Sequence, residues 1–289
     1  MKTYHIISNP AAGKKKSLKN LATVEKFFAA KGVAFETHLS VCERDATSIA
    51  RRLTENGATE IVTLGGDGTL HEVLNGLKDP SACNLGLIPS GTGNDFAERI
   101  GIPMEAEKAA SLILNGEAKS TDYLEMDGVR CMNVAGIGMD VDVLQRCKKG
   151  KLKGKIKYLL SLVQSLFAFK GIKVKIESEG REEERSVLLA GACNGSQFGG
   201  GIRICPVAEV DDKKLDAVIV DCIGGKLKII KAFMELMKGR ILQYPAATHF
   251  LCDRLKFIPQ KPCPAQLDGE IYTGLNFDIS IKSGLKFYR

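Results

Sequence analysis

Over the first 120 residues, short apolar runs alternate with segments whose apolar positions recur every three to four residues. The runs at 4–8, 33–39, 60–64 and 85–88 predict strands. Helices are predicted near 17–31, 44–56, 69–77 and Met104 to Leu114, the last closed by Asn115-Gly116. Strand–helix alternation of this kind predicts a parallel sheet covered on both faces. After about residue 121 strands dominate, separated by turn signals at Asp127-Gly128, Ser178–Gly180 and Asp268-Gly269. That half predicts a mainly antiparallel β domain, with Glu182-Glu183-Glu184 a solvated hairpin end. One helix interrupts it, with Ile156, Leu159, Leu160, Val163, Leu166 and Phe167 on a single apolar face. The expected division is 1–121, 122–280, and a final strand at 281–289 that returns to the first domain.

Bulk properties narrow the picture without identifying it. In 289 residues, 44% hydrophobic and 26% charged content are ordinary globular values. A net charge of +7 biases the chain mildly toward anionic partners. Trp is absent and no basic stripe interleaves with aromatics, so nucleic acid is not an expected partner. Nine cysteines lack any Cys-x-x-Cys pair, which reads as free thiols in a reducing compartment. The longest largely apolar stretch, Ile156 to Phe169, has 14 residues, whereas a span needs about 20. With no signal peptide recognised, a cytoplasmic location is expected.

Three loops at predicted strand ends carry candidate chemistry. Gly65-Gly66-Asp67-Gly68-Thr69 joins a strand to a helix, and its glycines let backbone turn sharply and approach a ligand. Main-chain N–H groups at a helix start favour a phosphate, and Asp67 suits such a site if Mg²⁺ lies between. A plain strand-to-helix turn explains the same residues equally well. Asn9-Pro10-Ala11-Ala12-Gly13-Lys14 follows the first strand but lacks Walker A spacing. Pro89 to Ala97 is rich in glycine, hydroxyls and an Asn-Asp pair, and reads equally as an N-capped helix start. All three lie at the carboxyl edge of the predicted sheet, where ligands bind. His71-Glu72 is followed by Asn75, so His-Glu-x-x-His fails. The four histidines are dispersed and no zinc site is expected.

Together these segments, with Glu72 and Asn75-Gly76, resemble the diacylglycerol-kinase catalytic domain of bacterial lipid kinases, a superfamily that includes sphingosine and ceramide kinases. The resemblance continues through Gly136-Ile-Gly138-Met-Asp140, Asn194-Gly195, Gly199–Gly201 with Pro206, Asp211-Asp212 with Leu215-Asp216, and Gln266-Leu-Asp268-Gly-Glu270. It covers essentially the whole chain in order.

The resemblance implies an α/β nucleotide-binding domain and a β-sandwich domain that enclose an active site. It implies that Asn9, Pro10, Ala11, Ala12, Gly13, Ser40, Gly65, Gly66, Asp67, Gly68, Thr69, Leu70, His71 and Thr92 line an ATP site. Mg²⁺ would bridge the phosphates with help from Asp67. A second metal site would fall to Glu209, Asp212 and the main-chain carbonyl of Lys214. Lys213 stands where the family has Gly, and a turn needing positive φ there suits Lys poorly. By itself Asp268-Gly269 reads as a type I′ turn. The resemblance makes Asp268 the general base, with Glu270 supporting it or taking the role.

The expected activity is ATP- and Mg²⁺-dependent phosphorylation of a lipid hydroxyl, diacylglycerol or a related glycerolipid foremost. Six lysines between Lys148 and Lys157 run into the amphipathic helix and suit transient binding to an anionic membrane surface. Packing of that helix on the sheet is the commoner explanation. A homodimer with both basic faces toward one membrane would gain by avidity. Gly-Gly-Asp-Gly-Thr also occurs in NAD kinases and phosphofructokinases, which keeps a soluble acceptor open. A nucleotide-binding regulator without turnover is the other alternative.

Overall fold

A computed structural model describes residues 2–149, 164–165 and 168–289. Most of the lysine-rich segment, from residue 150 onward, and most of the predicted amphipathic helix lie outside the described residues. The chain forms two units, Met1–Tyr123 with Lys282–Arg289, and Leu124–Ile281. None of the helices among the described residues is long and apolar enough to cross a membrane.

In the first unit β1 (Thr3–Ser8), α1 (Lys16–Ala30), β2 (Ala34–Leu39), α2 (Asp45–Glu55), β3 (Glu60–Gly65), α3 (Asp67–Gly76), β4 (Asn84–Pro89), α4 (Asp95–Arg99) and α5 (Ala106–Asn115) follow in order. The strands are parallel and lie as β2-β1-β3-β4. Every residue of β3 is buried, as a strand covered on both faces requires. On α1, Leu21, Val24 and Phe28 recur at helical spacing and are buried. Phe28 meets Tyr4 and Phe35 edge-on at centroid distances of 5.6 and 5.8 Å. Helix α3 begins at Asp67, ahead of the apolar periodicity that predicted it, because its first turn is glycine-rich and carries no hydrophobic signal.

A late segment completes this sheet: Lys286 and Phe287 pair in parallel with Asn84 and Leu85 of β4. Glu60, buried in β3, accepts from Tyr288 Oη at 2.6 Å and Asn84 Nδ2 at 2.9 Å, and pairs with Lys2 Nζ at 2.8 Å. Burial alone would raise the Glu60 carboxyl, but the bonds from Lys2, Tyr288 and Asn84 outweigh it and hold it below the usual range.

The second unit is antiparallel. It comprises the end of β5 (Ala118–Met126), β6 (Val129–Cys131), β7 (Val134–Gly138), α6 (Met139–Lys149), β8 (Ile172–Ser178), β9 (Arg181–Cys193), the short pair β10 (Gln197–Phe198) and β11 (Ile202–Arg203), and β12 (Leu215–Asp221). Helix α7 (Lys226–Met237), β13 (Ala247–Cys252), β14 (Arg254–Pro259), β15 (Cys263–Leu267), β16 (Glu270–Gly274) and the start of β17 (Phe277–Tyr288) complete it. Three hairpins turn on Asp127-Gly128, Glu179-Gly180 and Asp268-Gly269, with positive φ at both central residues of each, as type I′ geometry demands.

Alternation along β12 shows why this unit is layered. Leu215, Ala217 and Ile219 enter one buried cluster, with Phe257 and Phe277. Val218 and Val220 enter another, covered by Ile229, Ala232 and Leu236 of α7. The first unit is thus α/β with parallel strands and the second an antiparallel β-sandwich region, the fold class the chain predicts. The Glu182–Glu184 run is exposed at the end of the β8–β9 hairpin, where Glu182 meets Lys175 at 2.7 Å.

Candidate active site

Strand β1 has β2 on one side and β3 on the other, so the chain reverses its winding there. The carboxyl ends of β1 and β3 form the switch point at which α/β sheets bind ligands. The loops 9–13 and 65–69 leave those two ends, Ser40 follows β2, and the loop 90–94 follows β4.

These loops interlock. Asn9 N–H donates to Leu64 O at 3.3 Å, and Ser40 N–H to Ser8 O at 2.9 Å. Asn9 Oδ1 accepts from Ala11 N–H at 3.0 Å. Ser90 N–H donates to Gly65 O at 2.7 Å, and Asp67 Oδ1 accepts from Phe96 N–H at 3.2 Å. Gly13 has φ +58, and a Cβ there would stand 2.0 Å from Ser90 O. Gly66 and Gly91 touch so closely that a Cβ on either would come within 2.8 Å of the other's Cα.

None of the glycines at 65, 66 and 68 has positive φ, so the turn here does not draw on left-handed backbone. Gly65 and Gly66 are small because Thr69 and Gly91 pack against them. Gly68 differs: among the described residues nothing lies within 4 Å of where its Cβ would be. The N-cap of α3 is Gly66, which brings no capping side chain, so the helix start and its dipole suit an anion there. Thr69, Leu70 and His71 are buried, whereas Ala11, Gly68 and Thr92 are exposed.

Two supports escaped the sequence reading. Asn20, buried on α1, donates to Ser90 Oγ at 2.8 Å and so braces the third loop. Glu72 Oε2 accepts from Ala46 N–H at 3.2 Å, which ties α2 to α3. A polar residue at a buried position of an amphipathic helix was the available signal for Asn20.

In the second unit Asp268 sits at φ +50 in the β15–β16 turn. Its Oδ2 accepts from Met132 N–H at 2.7 Å, and its Oδ1 from Asn133 and Val134 N–H at 2.8 and 3.3 Å. Asn194 Nδ2 in turn donates to Met132 O at 2.7 Å. Three backbone donors therefore fix the carboxylate. Burial pushes the Cys131 thiol well up, and the neighbouring Asp268 adds to that. Glu270 opens β16, half-buried opposite Leu267.

Beside this turn lies an apolar recess walled by Met139, Val143, Leu144, Leu189, Phe198 and Leu236, with Asp140, Gln266 and Gly269 also on its wall. Gln266 Oε1 accepts from Gly269 N–H at 2.9 Å. Among the described residues, Asp140 Oδ1 and Gln266 Nε2 are buried with no hydrogen-bond partner. Burial raises the Asp140 carboxyl from 3.8 to about 6; the N–H groups of Val141 and Asp140 oppose this, as does the nearby Gln266 amide.

The loop before β12 holds the remaining metal candidates. Glu209 and Asp212 are exposed. Asp212 Oδ1 accepts from Lys214 N–H at 2.9 Å, and Lys214 Nζ pairs with Asp253 at 2.7 Å. Lys213 does adopt positive φ, +62, so this turn forms without glycine at a strain of about 1–2 kcal/mol.

Residues 3–126 match the diacylglycerol kinase catalytic domain, and residues 133–284 match the YegS C-terminal NAD kinase beta sandwich-like domain. The chain is 30% identical over 281 residues to a diacylglycerol kinase of Bacillus subtilis (strain 168), covering 95% of this chain and 91% of that one. It is 29% identical to a "Probable lipid kinase YegS-like" protein of Xanthomonas euvesicatoria pv. vesicatoria (strain 85-10), covering 86% and 84%. A crystal structure from Bacillus anthracis str. Sterne, assigned to the diacylglycerol kinases, superposes with TM-score 0.81 at 25% identity over 99% and 94% of the chains. The chain belongs to the diacylglycerol kinase and YegS-like lipid-kinase family, and is an enzyme of that class.

Proposed function

We propose that this chain transfers the γ-phosphoryl group of ATP to a hydroxyl of a glycerolipid, diacylglycerol foremost, with Mg²⁺ as the metal. The observation that carries the lipid assignment is the apolar recess beside the Asp268-Gly269 turn. A soluble acceptor would call for a polar wall. Among the described residues, the buried side-chain polar atoms on this wall without a hydrogen bond are Asp140 Oδ1 and Gln266 Nε2, neighbouring groups that would serve a headgroup as acceptor and donor.

The residues present fit a nucleotide triphosphate and its metal. The start of α3, with Gly66 at its N-cap, and the open space at Gly68 leave main-chain N–H groups to bind phosphate oxygens. Asn9 to Gly13, Ser40 and Thr92 would complete the nucleotide contacts. Asp67, and separately Glu209, Asp212 and the Lys214 carbonyl, are the groups that would hold Mg²⁺. When bound, that ion supplies charge neutralisation on the phosphates. Asp268, oriented by Met132, Asn133 and Val134, would take the proton of the attacking hydroxyl, with Glu270 beside it in the same hairpin. The chain would meet its substrate at a membrane surface, where the lysines from Lys148 to Lys157 would face anionic headgroups.

The test is ADP release with Mg²⁺ in mixed micelles carrying diacylglycerol, against micelles without it and against NAD. Turnover that needs both Mg²⁺ and the lipid is expected. NAD-dependent turnover without lipid would overturn the lipid assignment, and ATP binding without turnover on any acceptor would leave a nucleotide-binding regulator.

A further inference from the structure

The histidines scattered in sequence do not stay apart in the fold. Parallel pairing sets His5 of β1 opposite Glu36 of β2, and Ile7 opposite His38. Side chains on one face of a strand recur every second residue, so His5, Glu36 and His38 share one face of this edge pair. His5 Nδ1 lies 3.3 Å from His38 Nε2. Glu36 Oε2 lies 3.5 Å from His5 Nδ1 and 3.8 Å from His38 Nε2. The two imidazoles are half-buried, and the Glu36 side chain is 60% exposed.

A tetrahedral zinc ion with bonds of about 2.0–2.2 Å separates its ligand atoms by roughly 3.3–3.5 Å. The His–His and His5–Glu36 distances meet that range as they stand, and the exposed Glu36 carboxylate has a few tenths of an ångström to move. Two histidines and one carboxylate with a fourth, open position form a familiar zinc ligand set. We propose that His5, Glu36 and His38 bind one Zn²⁺ that clips the edge strand β2 to β1. The clip lies just upstream of Ser8 and Ser40, where both strands end at the candidate nucleotide loops. Arg52 of α2 is the cation that approaches His38 and opposes a metal there. The direct contact between the two rings, stacked at a centroid distance of 5.6 Å and an interplanar angle of 29°, is the arrangement that the ion would replace.

A rival cluster must be separated from this one. Cys205, Asp216 and His249 also bring ligand atoms together in the second unit. Titration of the full chain with Co²⁺, without nucleotide or Mg²⁺, distinguishes them. One tetrahedral Co²⁺ is expected, with visible d–d bands and no near-ultraviolet thiolate charge-transfer band. Zn²⁺ should displace it and raise the Tm. His38→Gln should weaken binding by about 100-fold or more, while His249→Gln leaves it unchanged. Equal affinity in His38→Gln, a thiolate band, loss in His249→Gln instead, or no binding by the wild type would each overturn the proposal.

Discussion

Asp268→Asn separates two jobs that a single carboxylate does in the proposed reading. In the wild type both oxygens accept backbone N–H groups from residues more than 130 positions earlier, at 2.7, 2.8 and 3.3 Å. Asparagine keeps one oxygen and can still serve Asn133 and Val134. Its amide nitrogen then faces Met132 N–H, donor against donor. A hydrogen bond to a charged acceptor contributes about 1.5–3 kcal/mol, and a stranded N–H costs about 1–3 kcal/mol more. Because the two overlap, a net loss of about 2–4 kcal/mol is expected. Backbone strain does not change, since Asn tolerates the left-handed φ as Asp does. Urea unfolding of the full chain, followed by circular dichroism, reads this directly, and the Tm should fall by roughly 5–15 °C. Well below that transition, ATP binding should remain near wild type while kcat drops about 10²-fold or more, as loss of a base requires. An unchanged unfolding midpoint would refute the clamp. Wild-type turnover in folded Asp268→Asn would remove it from the chemistry.

Gly13→Ala should destabilise by about 2 kcal/mol or more, because the new methyl meets Ser90 O at a left-handed φ; a wild-type melting curve would contradict the loop interlock. Gly68→Ala should leave stability unchanged or raise it by up to about 1 kcal/mol, since α3 gains a better helix former in open space. The same variant should bind Mg-ATP about 10-fold more weakly if phosphate rests on that helix start, and equal affinity measured by calorimetry would move the phosphate elsewhere. Asp140 has a folded-state pKa raised from 3.8 to about 6, so the folded chain holds a proton that the unfolded chain has lost in between. Its stabilising contribution is full below about pH 4 and is lost as pH rises through 6, by up to about 3 kcal/mol. Asp140→Asn should therefore gain about 1–3 kcal/mol at pH 7.5 and nothing at pH 4, and an equal change at both pH values would argue against a buried, strained carboxyl.

Much of this architecture is legible residue by residue. The strand–helix alternation of the first half, the antiparallel second half and the Asp-Gly and Glu-Gly turns are written in short windows, because period and turn chemistry are local properties. The glycine loops announce themselves as well, and the reason for their glycines does not. The sequence suggested backbone freedom at Gly65 and Gly66, whereas the fold requires smallness there because Thr69 and Gly91 occupy the space. Lys213 shows the converse, a position that looks unfit for its turn and adopts the positive φ regardless.

What the chain determined by itself is the set of elements and their punctuation: apolar spacing sets helix or strand, and Gly, Asn and Asp set where each ends. The tertiary structure alone decided which distant groups meet. Gly13 against Ser90, Asp268 on the N–H groups of residues 132–134, and His5 beside His38 all depend on strand order and register. Register follows from how whole faces bury against one another, a sum over many side chains that no single window of sequence contains.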